Sequence, residues 1–371
     1  MAEALKEVYS KEFFNKFCDA LKLVVPEIQR GEFLKQIFSP EWEILELKQR
    51  MSHIAQVLKK VLDQDFKNAV SQIIEIIEFQ RERDVNNGFN FEFMFFPDYI
   101  QQYGLDDFET SVSGIEKITQ YTSCEFVVRH FILKYPDKMV SQMYEWARHE
   151  HAYVRRLASE GMRTRLPWAI GVPKLKDNPD LIVPILDKLV KDESEWVRRS
   201  VANSLNDLSK DYPEISLNFT KKWIGNSIEV DKTLKHGARG LLKKGNPEML
   251  GYFGLNTYAK IDVSNVVLRN SSVKIGDYLD FSFMLTNHEK NQVALRIEYR
   301  IHFLRSNGTY HVKTFKISEK ELASEASLKL VKRHSFKIIS TRKYYTGTHY
   351  LSLLINGKES EKKRFELVEI A

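Results

Sequence analysis

The chain has 371 residues, 43% hydrophobic and 29% charged, an ordinary composition for folded domains and enough for two of them. Its start lacks the basic and apolar regions of a secretory signal, and no apolar run is long enough to span a bilayer. Two cysteines without a CxxC pair exclude a disulfide scaffold and a cysteine-based zinc site. We therefore expect a protein of the reducing cytoplasm, with no bound metal.

Apolar residues recur at helical spacing from residue 1 to about 254, which predicts a helical region. The first apolar face stops before Pro26, because proline cannot lie inside a helix. The positions that carry this pattern are Phe13, Phe14, Phe17, Leu21 and Val24, then Ile44, Leu45, Met51, Ile54, Val57 and Leu58, then Val70, Ile73, Ile74 and Ile77.

The second half of this helical region is repetitive. A short motif with a central proline recurs at Pro136, Pro179, Pro213 and Pro247, at spacings of 43, 34 and 34 residues. The run Tyr-Val-Arg-Arg at 153–156 matches Trp-Val-Arg-Arg at 196–199, again 43 residues later. Helix pairs that repeat at this interval indicate HEAT-like units stacked in an α-solenoid with a concave surface.

The periodicity changes to two after about Asn256, which predicts β-strands. Turn signals Ile-Gly-Asp at 275–277, Ser-Asn-Gly at 306–308 and Asn-Gly at 356–357 separate the strands. The alternating apolar positions are Phe281, Phe283 and Leu285, then Ile297, Tyr299, Ile301 and Phe303, then Leu351, Leu353 and Ile355. We expect an antiparallel β-sandwich at 256–371, after a helical domain at 1–254.

Positive charge is concentrated in the predicted β-domain. Residues 255–371 contain 20 Lys and Arg against 12 Asp and Glu, a net charge of +8, whereas the whole chain carries +6. The first 254 residues therefore sum to −2. This distribution is consistent with an accessory surface for a polyanion, and equally with a lysine-rich domain that is simply well solvated.

One stripe of polar residues runs along equivalent helices of two repeats. Arg156 and Glu160 are four residues apart and share a helix face. A shift of 43 residues converts them to Arg199 and Asn203, and Asp207 lies one turn further along. Because equivalent faces of adjacent repeats point the same way, we expect Glu160 and Asp207 to approach each other on the concave surface.

Further polar residues flank this stripe. Glu125 is expected in the preceding helix, so that three carboxylates converge from successive helices. Gly161 is a natural stop for the helix of Glu160. The loop after it carries Arg163 and Arg165, whose guanidinium groups bind phosphate well, and Trp168, whose indole can stack on a base or sugar.

Each of these features also has an ordinary interpretation. An Arg–Glu pair four residues apart is typical of surface ion pairs, acidic residues commonly solvate a solenoid face, and a Pro-Trp pair often anchors a loop. Their clustering on the same turn of the same repeats favours a site. Carboxylates among phosphate-binding arginines repel DNA, so they suggest a cation that needs stabilisation.

Three segments resemble the AlkC-type alkylpurine DNA glycosylases, in the superfamily that also contains AlkD. They are RRLASEGMRTRLPWA at 155–169, VRRSVANSLNDLSKDYP at 197–213 and CEFVVR at 124–129. Thr164 departs from the pattern, where proline is expected between two arginines, but removes no charge. One branch of the family carries an immunoglobulin-like domain after its repeats. The resemblance thus implies an all-α HEAT-like repeat solenoid followed by an all-β immunoglobulin-like sandwich.

The resemblance also implies the substrates and the cellular location of the protein. The family's substrates are 3-methyladenine and 3-methylcytosine in duplex DNA, removed without flipping the base. We expect the chain to act at the bacterial nucleoid, as a monomer, without a cofactor and without a membrane partner. Since no lysine nucleophile stands out on the concave face, we expect a monofunctional enzyme that lacks lyase activity.

The predicted site residues suggest how the glycosidic bond is cleaved. An N3-alkylated base is cationic and leaves readily, so the enzyme has to stabilise positive charge on the sugar and place a water molecule. Glu160 and Asp207 are predicted to face the sugar and lesion, with Glu125 orienting water. The predicted DNA contacts are Trp168 on the exposed nucleotide and Arg156, Arg163 and Arg165 on the flanking phosphates. The alternatives are a non-catalytic solenoid that binds DNA and one that binds protein.

Overall fold

A computed structural model of the chain describes residues 5–83, 89–339 and 342–369, which form two compact units, Met1–Leu208 and Ser209–Ala371. None of the described helices is long and apolar enough to cross a membrane. The helices that begin in the first unit are α1 Lys11–Val24, α2 Arg30–Ile37, α3 Leu47–Lys59, α4 Phe66–Arg83, α5 Phe95–Tyr103, α6 Phe108–Ile118, α7 Val127–Lys134, α8 Pro136–Trp146, α9 Ala152–Gly161, α10 Pro173–Asp177, α11 Val183–Leu189 and α12 Glu195–Asp211.

Most of the predicted helix starts and apolar faces are confirmed. Pro136 begins α8, and Pro179 begins a 3-10 turn just before α11, since a missing N–H is harmless in a first turn. Phe14 and Phe17 of α1 are buried as predicted. The prediction for Ile44 and Leu45 is wrong, because both residues precede α3. Ile44 lies in a 3-10 turn and is 77% exposed, and Leu45 has an extended backbone.

The first arginine of the repeated Val-Arg-Arg motif is architectural. Arg155 donates to the carbonyls of His149 and Glu150 at 3.0 and 2.6 Å, in the turn before α9. Arg198 does the same 43 residues later, at 2.6 and 2.9 Å from the carbonyls of residues 192 and 193. The Arg155 Nε atom also lies 2.6 Å from a carboxylate oxygen of Asp192, which ties one repeat to the next.

After the end of α12, the described residues of the second unit form helices α13–α16 and a β-sandwich. Its elements are α13 Pro213–Trp223, α14 Ile228–Gly237, α15 Arg239–Lys244, α16 Pro247–Tyr252, then β1 Ile261–Leu268, β2 Ser272–Lys274, β3 Tyr278–Asn287, β4 Val293–Leu304, β5 Tyr310–Leu322, β6 Ser327–Ser335, β7 Gly347–Ile355, β8 Lys358–Glu359 and β9 Lys363–Val368. One sheet has the order β1-β3-β6, and the other has the order β2-β9-β7-β4-β5 with β8 paired to β7.

The sandwich core follows the predicted alternation. Apolar side chains of β3, β4 and β7 point inward and are almost fully buried, including Phe281, Ile297 and Leu353. Most neighbouring strands are antiparallel, as predicted, but β2 pairs with β9 in parallel. Only three residues long, β2 joins the sheet opposite to that of β1 and β3, a change that the sequence pattern does not signal.

A contact between two glycines fixes the last helices to the sandwich. Gly245 ends α15 in the left-handed conformation, at φ +78°, and Gly357 occupies the β7–β8 turn at φ +84°. A Cβ atom on Gly357 would lie 2.9 Å from the Gly245 carbonyl oxygen and 2.8 Å from Leu250 Cδ1. Ala294 of β4 packs on the same helical cluster. Helices α13–α16 and the strands thus form one packed unit.

Replacing Gly357 by alanine should therefore destabilise this unit. The Gly357→Ala variant combines left-handed strain with overlap, whereas Gly308→Ala carries only the strain, since nothing lies within 4 Å of its added Cβ at φ +78°. We expect Gly357→Ala to lose about 1–3 kcal/mol more than Gly308→Ala. Urea unfolding of the two variants measures the difference, and equal losses would contradict the close contact.

Candidate active site

Five charged side chains from three repeats form a chain of alternating sign, here called the ion chain. Its order is Glu125, Arg156, Glu160, Arg163 and Asp207. The successive nitrogen-to-oxygen distances are 3.0, 3.9, 2.5 and 2.8 Å. Three carboxylates and two guanidinium groups leave a formal charge of −1. The predicted approach of the Glu160 and Asp207 faces is confirmed, and Arg163 joins them.

Arg163 occupies a different position from the one predicted. Its side chain is buried, with Nη1 on Glu160 and Nε on Asp207, so it does not reach a phosphate in this geometry. Burial lowers the pKa of the Arg163 guanidinium, but the charges of Glu160 and Asp207 outweigh this effect and raise the pKa above its ordinary value. Arg163 is thus a permanent cation between two buried carboxylates.

Arg156 is also engaged by protein groups and not directed to a phosphate as predicted. Its guanidinium lies between Glu125 and Glu160, with its Cζ atom 4.7 Å from the centre of the Trp196 ring. A half-buried guanidinium pairs with carboxylates already in place, because leaving either charge unpaired is costly. Of the three arginines predicted to hold phosphates, Arg165 has an exposed side chain.

Glu125 lies in the turn before α7, and its prediction inside that helix is wrong. The helix begins only at Val127. The Glu125 carboxylate accepts a hydrogen bond from the Ser123 hydroxyl at 2.8 Å. This short turn presents both groups toward Arg156, so an acidic and a hydroxyl group stand side by side at the edge of the ion chain.

Asp207 lies behind Arg163. Its side chain is 2% exposed and does not line the cleft onto which Glu160 and Glu125 open. The hydroxyls of Ser159 in α9 and Ser200 in α12 are 3.0 Å apart, which holds the two helices close at this level. Asp207 therefore contacts Arg163 and does not face the cleft as predicted.

Glycine ends α9 for a reason other than the one predicted. Gly161 does not adopt the left-handed conformation typical of a helix stop. A Cβ atom there would lie 2.6 Å from Val128 Cγ2 in α7. The glycine lets α9 approach α7 closely, and this brings the carboxylate of Glu160 near the turn that carries Glu125.

The loop after α9, residues 162–172, is here called the tryptophan loop. Arg129 of α7 is buried and donates to three main-chain carbonyls, those of Gly161 at 3.0 Å, Arg163 at 2.8 Å and Ile170 at 2.7 Å. Burial, together with the charge of Arg163, lowers the pKa of Arg129 to about 10. Arg129 had no predicted role, although it ends the segment 124–129 that resembles the family.

Trp168 projects from this loop in a strained conformation. Its φ is +62°, which costs a bulky residue roughly 1–2 kcal/mol, and its side chain is 64% exposed. Strain of this kind persists only where the surroundings enforce it, and it concentrates at functional sites. An exposed indole at the edge of the cleft fits the predicted stacking on a nucleotide.

A cleft of about 290 Å³ opens above the ion chain. Its polar lining includes Ser123, Glu125, Arg156, Glu160, Arg163 and Lys48. Its apolar lining is rich in aromatic and methionine side chains: Met51, Phe89, Phe91, Met94, Phe126, Trp168 and Trp196. Such a lining excludes water and strengthens electrostatic interactions with the carboxylates.

Most of these cleft residues were not predicted as site residues. Trp196 had a signal, because it aligns with Tyr153 in the 43-residue repeat. Nothing in the sequence pointed to Lys48, because it lies in a helix 120 residues before Trp168. Within residues 5–83, 89–339 and 342–369, no group of three or more histidine, cysteine or acidic residues is arranged to hold a metal.

Removing Arg163 should destabilise the first unit strongly. In Arg163→Met, Glu160 and Asp207 each lose a buried cationic partner, and we expect a loss of about 3–5 kcal/mol. Arg148→Met is the control, because Arg148 also pairs with a glutamate three residues earlier but at the surface, and it should lose less than about 1 kcal/mol. Denaturant unfolding compares them; a similarly small loss in both would contradict the buried ion chain.

Two family models match different parts of the chain. The family model "DNA alkylation repair enzyme" matches residues 49–239, and "Uncharacterised protein YhaZ, C-terminal Ig-like domain" matches residues 262–369. The uncharacterized protein YhaZ of Bacillus subtilis (strain 168) is 36% identical over 364 residues, which cover 98% of this chain and 99% of YhaZ.

A solved structure shares the whole fold. It is the alkylpurine DNA glycosylase AlkC of Pseudomonas fluorescens, bound to DNA that contains an abasic site analog. The TM-score is 0.92 at 30% sequence identity, and the match covers 99% of this chain and 100% of the other. The AlkC-like helical fold and the immunoglobulin-like sandwich expected from the sequence are both confirmed.

Proposed function

Because the chain belongs to the DNA alkylation repair enzyme family, we propose that it is a DNA glycosylase that hydrolyses the N-glycosidic bond of cationic alkylated bases in duplex DNA. This proposal rests on the ion chain at the floor of an aromatic cleft. The ion chain has a net negative charge, although the ligand proposed for the protein is a polyanion. Carboxylates in that position repel undamaged DNA and favour a site of positive charge.

The substrates proposed are 3-methyladenine and 3-methylcytosine, removed without base flipping. Both lesions carry a positive charge at neutral pH, which makes the base a good leaving group and reduces the need for a general acid. A cleft of about 290 Å³ with wide access suits a nucleotide approached in place. Exposed Trp168 then packs against the damaged nucleotide, and exposed Arg165 neutralises a nearby phosphate.

Glu160 is proposed to stabilise the positive charge that develops on the deoxyribose as the bond breaks. Its carboxylate lines the cleft, with Oε1 paired to Arg163 and Oε2 3.9 Å from Arg156. Asp207 shares the charge of Arg163, so that Glu160 is not fully neutralised. Glu125 and the Ser123 hydroxyl, which are hydrogen-bonded to each other, are proposed to orient the attacking water.

The enzyme is proposed to be monofunctional. Lys48 is the lysine among the described cleft residues, and lyase chemistry would require its free amine. Its ammonium donates to the Trp168 carbonyl at 3.0 Å and lies 4.6 Å from the centre of the Phe126 ring. Both contacts engage the Lys48 side chain with groups of the protein, so it is not proposed as a nucleophile.

The basic β-domain is proposed to add affinity for the DNA backbone. Its net charge of +8 contrasts with −2 for residues 1–254, so long-range attraction to phosphates is concentrated there. The proposed partner is duplex DNA with an alkylated base, bound by a monomer.

Neutralising Glu160 should abolish most activity without loss of DNA binding. In Glu160→Gln, single-turnover release of 3-methyladenine from duplex DNA should fall about 10²-fold or more, because a stabilising charge is lost in the transition state. Asp207→Asn should cause a smaller loss, since Arg163 then pairs with Glu160 alone. Glu150→Gln, at an exposed site just before α9, is the control and should leave release unchanged. Full release by Glu160→Gln would contradict the assigned role.

A further inference from the structure

The tryptophan loop is held by two cations from outside it. Arg129 binds the carbonyls of residues 161, 163 and 170, which fixes the two ends of the loop. Lys48 donates to the carbonyl of Trp168 itself, at the loop's tip. The strained residue is therefore the one that Lys48 contacts.

The position of Lys48 in its own helix is unfavourable. It is the second residue of α3, where the positive end of the helix dipole disfavours a cation. The N-terminus of α3 is already satisfied by a capping box between Glu46 and Gln49. The helix therefore gives no reason for a lysine at this position, and the contacts of the side chain outside the helix do.

Those contacts converge on the cleft. The Lys48 ammonium lies over the Phe126 ring and under the Trp168 carbonyl, so it joins α3, the turn before α7 and the tryptophan loop. Trp168 has a mostly exposed side chain, and packing of the indole contributes little to holding its left-handed backbone. The charge-assisted hydrogen bond from Lys48 to the Trp168 carbonyl restrains this backbone directly.

We propose that Lys48 is a positioning residue for recognition of damaged DNA, which acts by holding Trp168 in the conformation that meets the nucleotide. This inference rests on the proposed function for the role of Trp168 in DNA binding. Lys48 contributes to affinity for the distorted site through preorganisation of the loop, and not through its own contact with a phosphate.

Four variants of the full chain test this role. Lys48→Met removes the charge and the hydrogen bond, and Lys48→Arg restores a cationic donor that can stack on Phe126. Lys59→Met is the matched control, because Lys59 lies in the same helix, donates to the Gln64 carbonyl at 3.0 Å and lies 5.8 Å from the Tyr103 ring centre. Trp168→Ala removes the indole.

The first measurement concerns the free protein and needs no activity. Hydrogen exchange of the amides in residues 162–172 should be about fivefold faster or more in Lys48→Met than in the wild type. It should be near the wild-type rate in Lys48→Arg and in Lys59→Met. Unchanged exchange of the loop in Lys48→Met would overturn the proposal.

The second measurement is affinity for duplex DNA with an abasic-site analog. Lys48→Met should bind about fivefold more weakly in the wild-type background and less than about twofold more weakly in the Trp168→Ala background, with an unchanged salt slope. An equal loss in both backgrounds, with a salt slope smaller by about one, identifies a direct phosphate contact and overturns the proposal. If Trp168→Ala binds DNA normally, the proposed DNA role of Trp168 fails, while loop exchange still decides whether Lys48 holds the loop.

Discussion

The ion chain from Glu125 to Asp207 is the constraint on which the rest of the first unit depends. Three carboxylates at low exposure are tolerated only because two guanidinium groups stand between them. To place the five charges in sequence, the solenoid must bring α9, α12 and the turn before α7 to the same level. Gly161, the Ser159–Ser200 contact and the Arg155–Asp192 pair each serve that alignment.

This arrangement reconciles two opposing demands. A protein that binds DNA gains from positive charge, whereas a site that stabilises a cation on the sugar needs negative charge. The two arginines pair with the three carboxylates, so the net charge of the ion chain is only −1 and its repulsion of phosphates is limited. An aromatic and methionine lining above them keeps the dielectric low, where a single carboxylate has the most effect.

Much of the fold could be predicted from periodicity, and part of the site from the repeat. The 43-residue match brought Glu160 and Asp207 together because equivalent helices present the same face. It could not indicate that Arg163 turns inward, since a loop arginine can face phosphate or protein with equal sequence support. Lys48 and Arg129 could not be predicted, because their partners are main-chain carbonyls of the tryptophan loop. Every residue has a carbonyl, so such a contact has no sequence pattern.

If the cleft acts on a positively charged lesion, base release should depend on the charge of the base. Wild-type protein is incubated with two duplexes of the same sequence, one with 3-methyladenine and one with 3-deaza-3-methyladenine, an isostere that lacks the charge. We expect release of 3-methyladenine to be at least about 10²-fold faster than release of the neutral isostere, at similar affinity for the two duplexes. Equal release rates, or no release of either base, would contradict it.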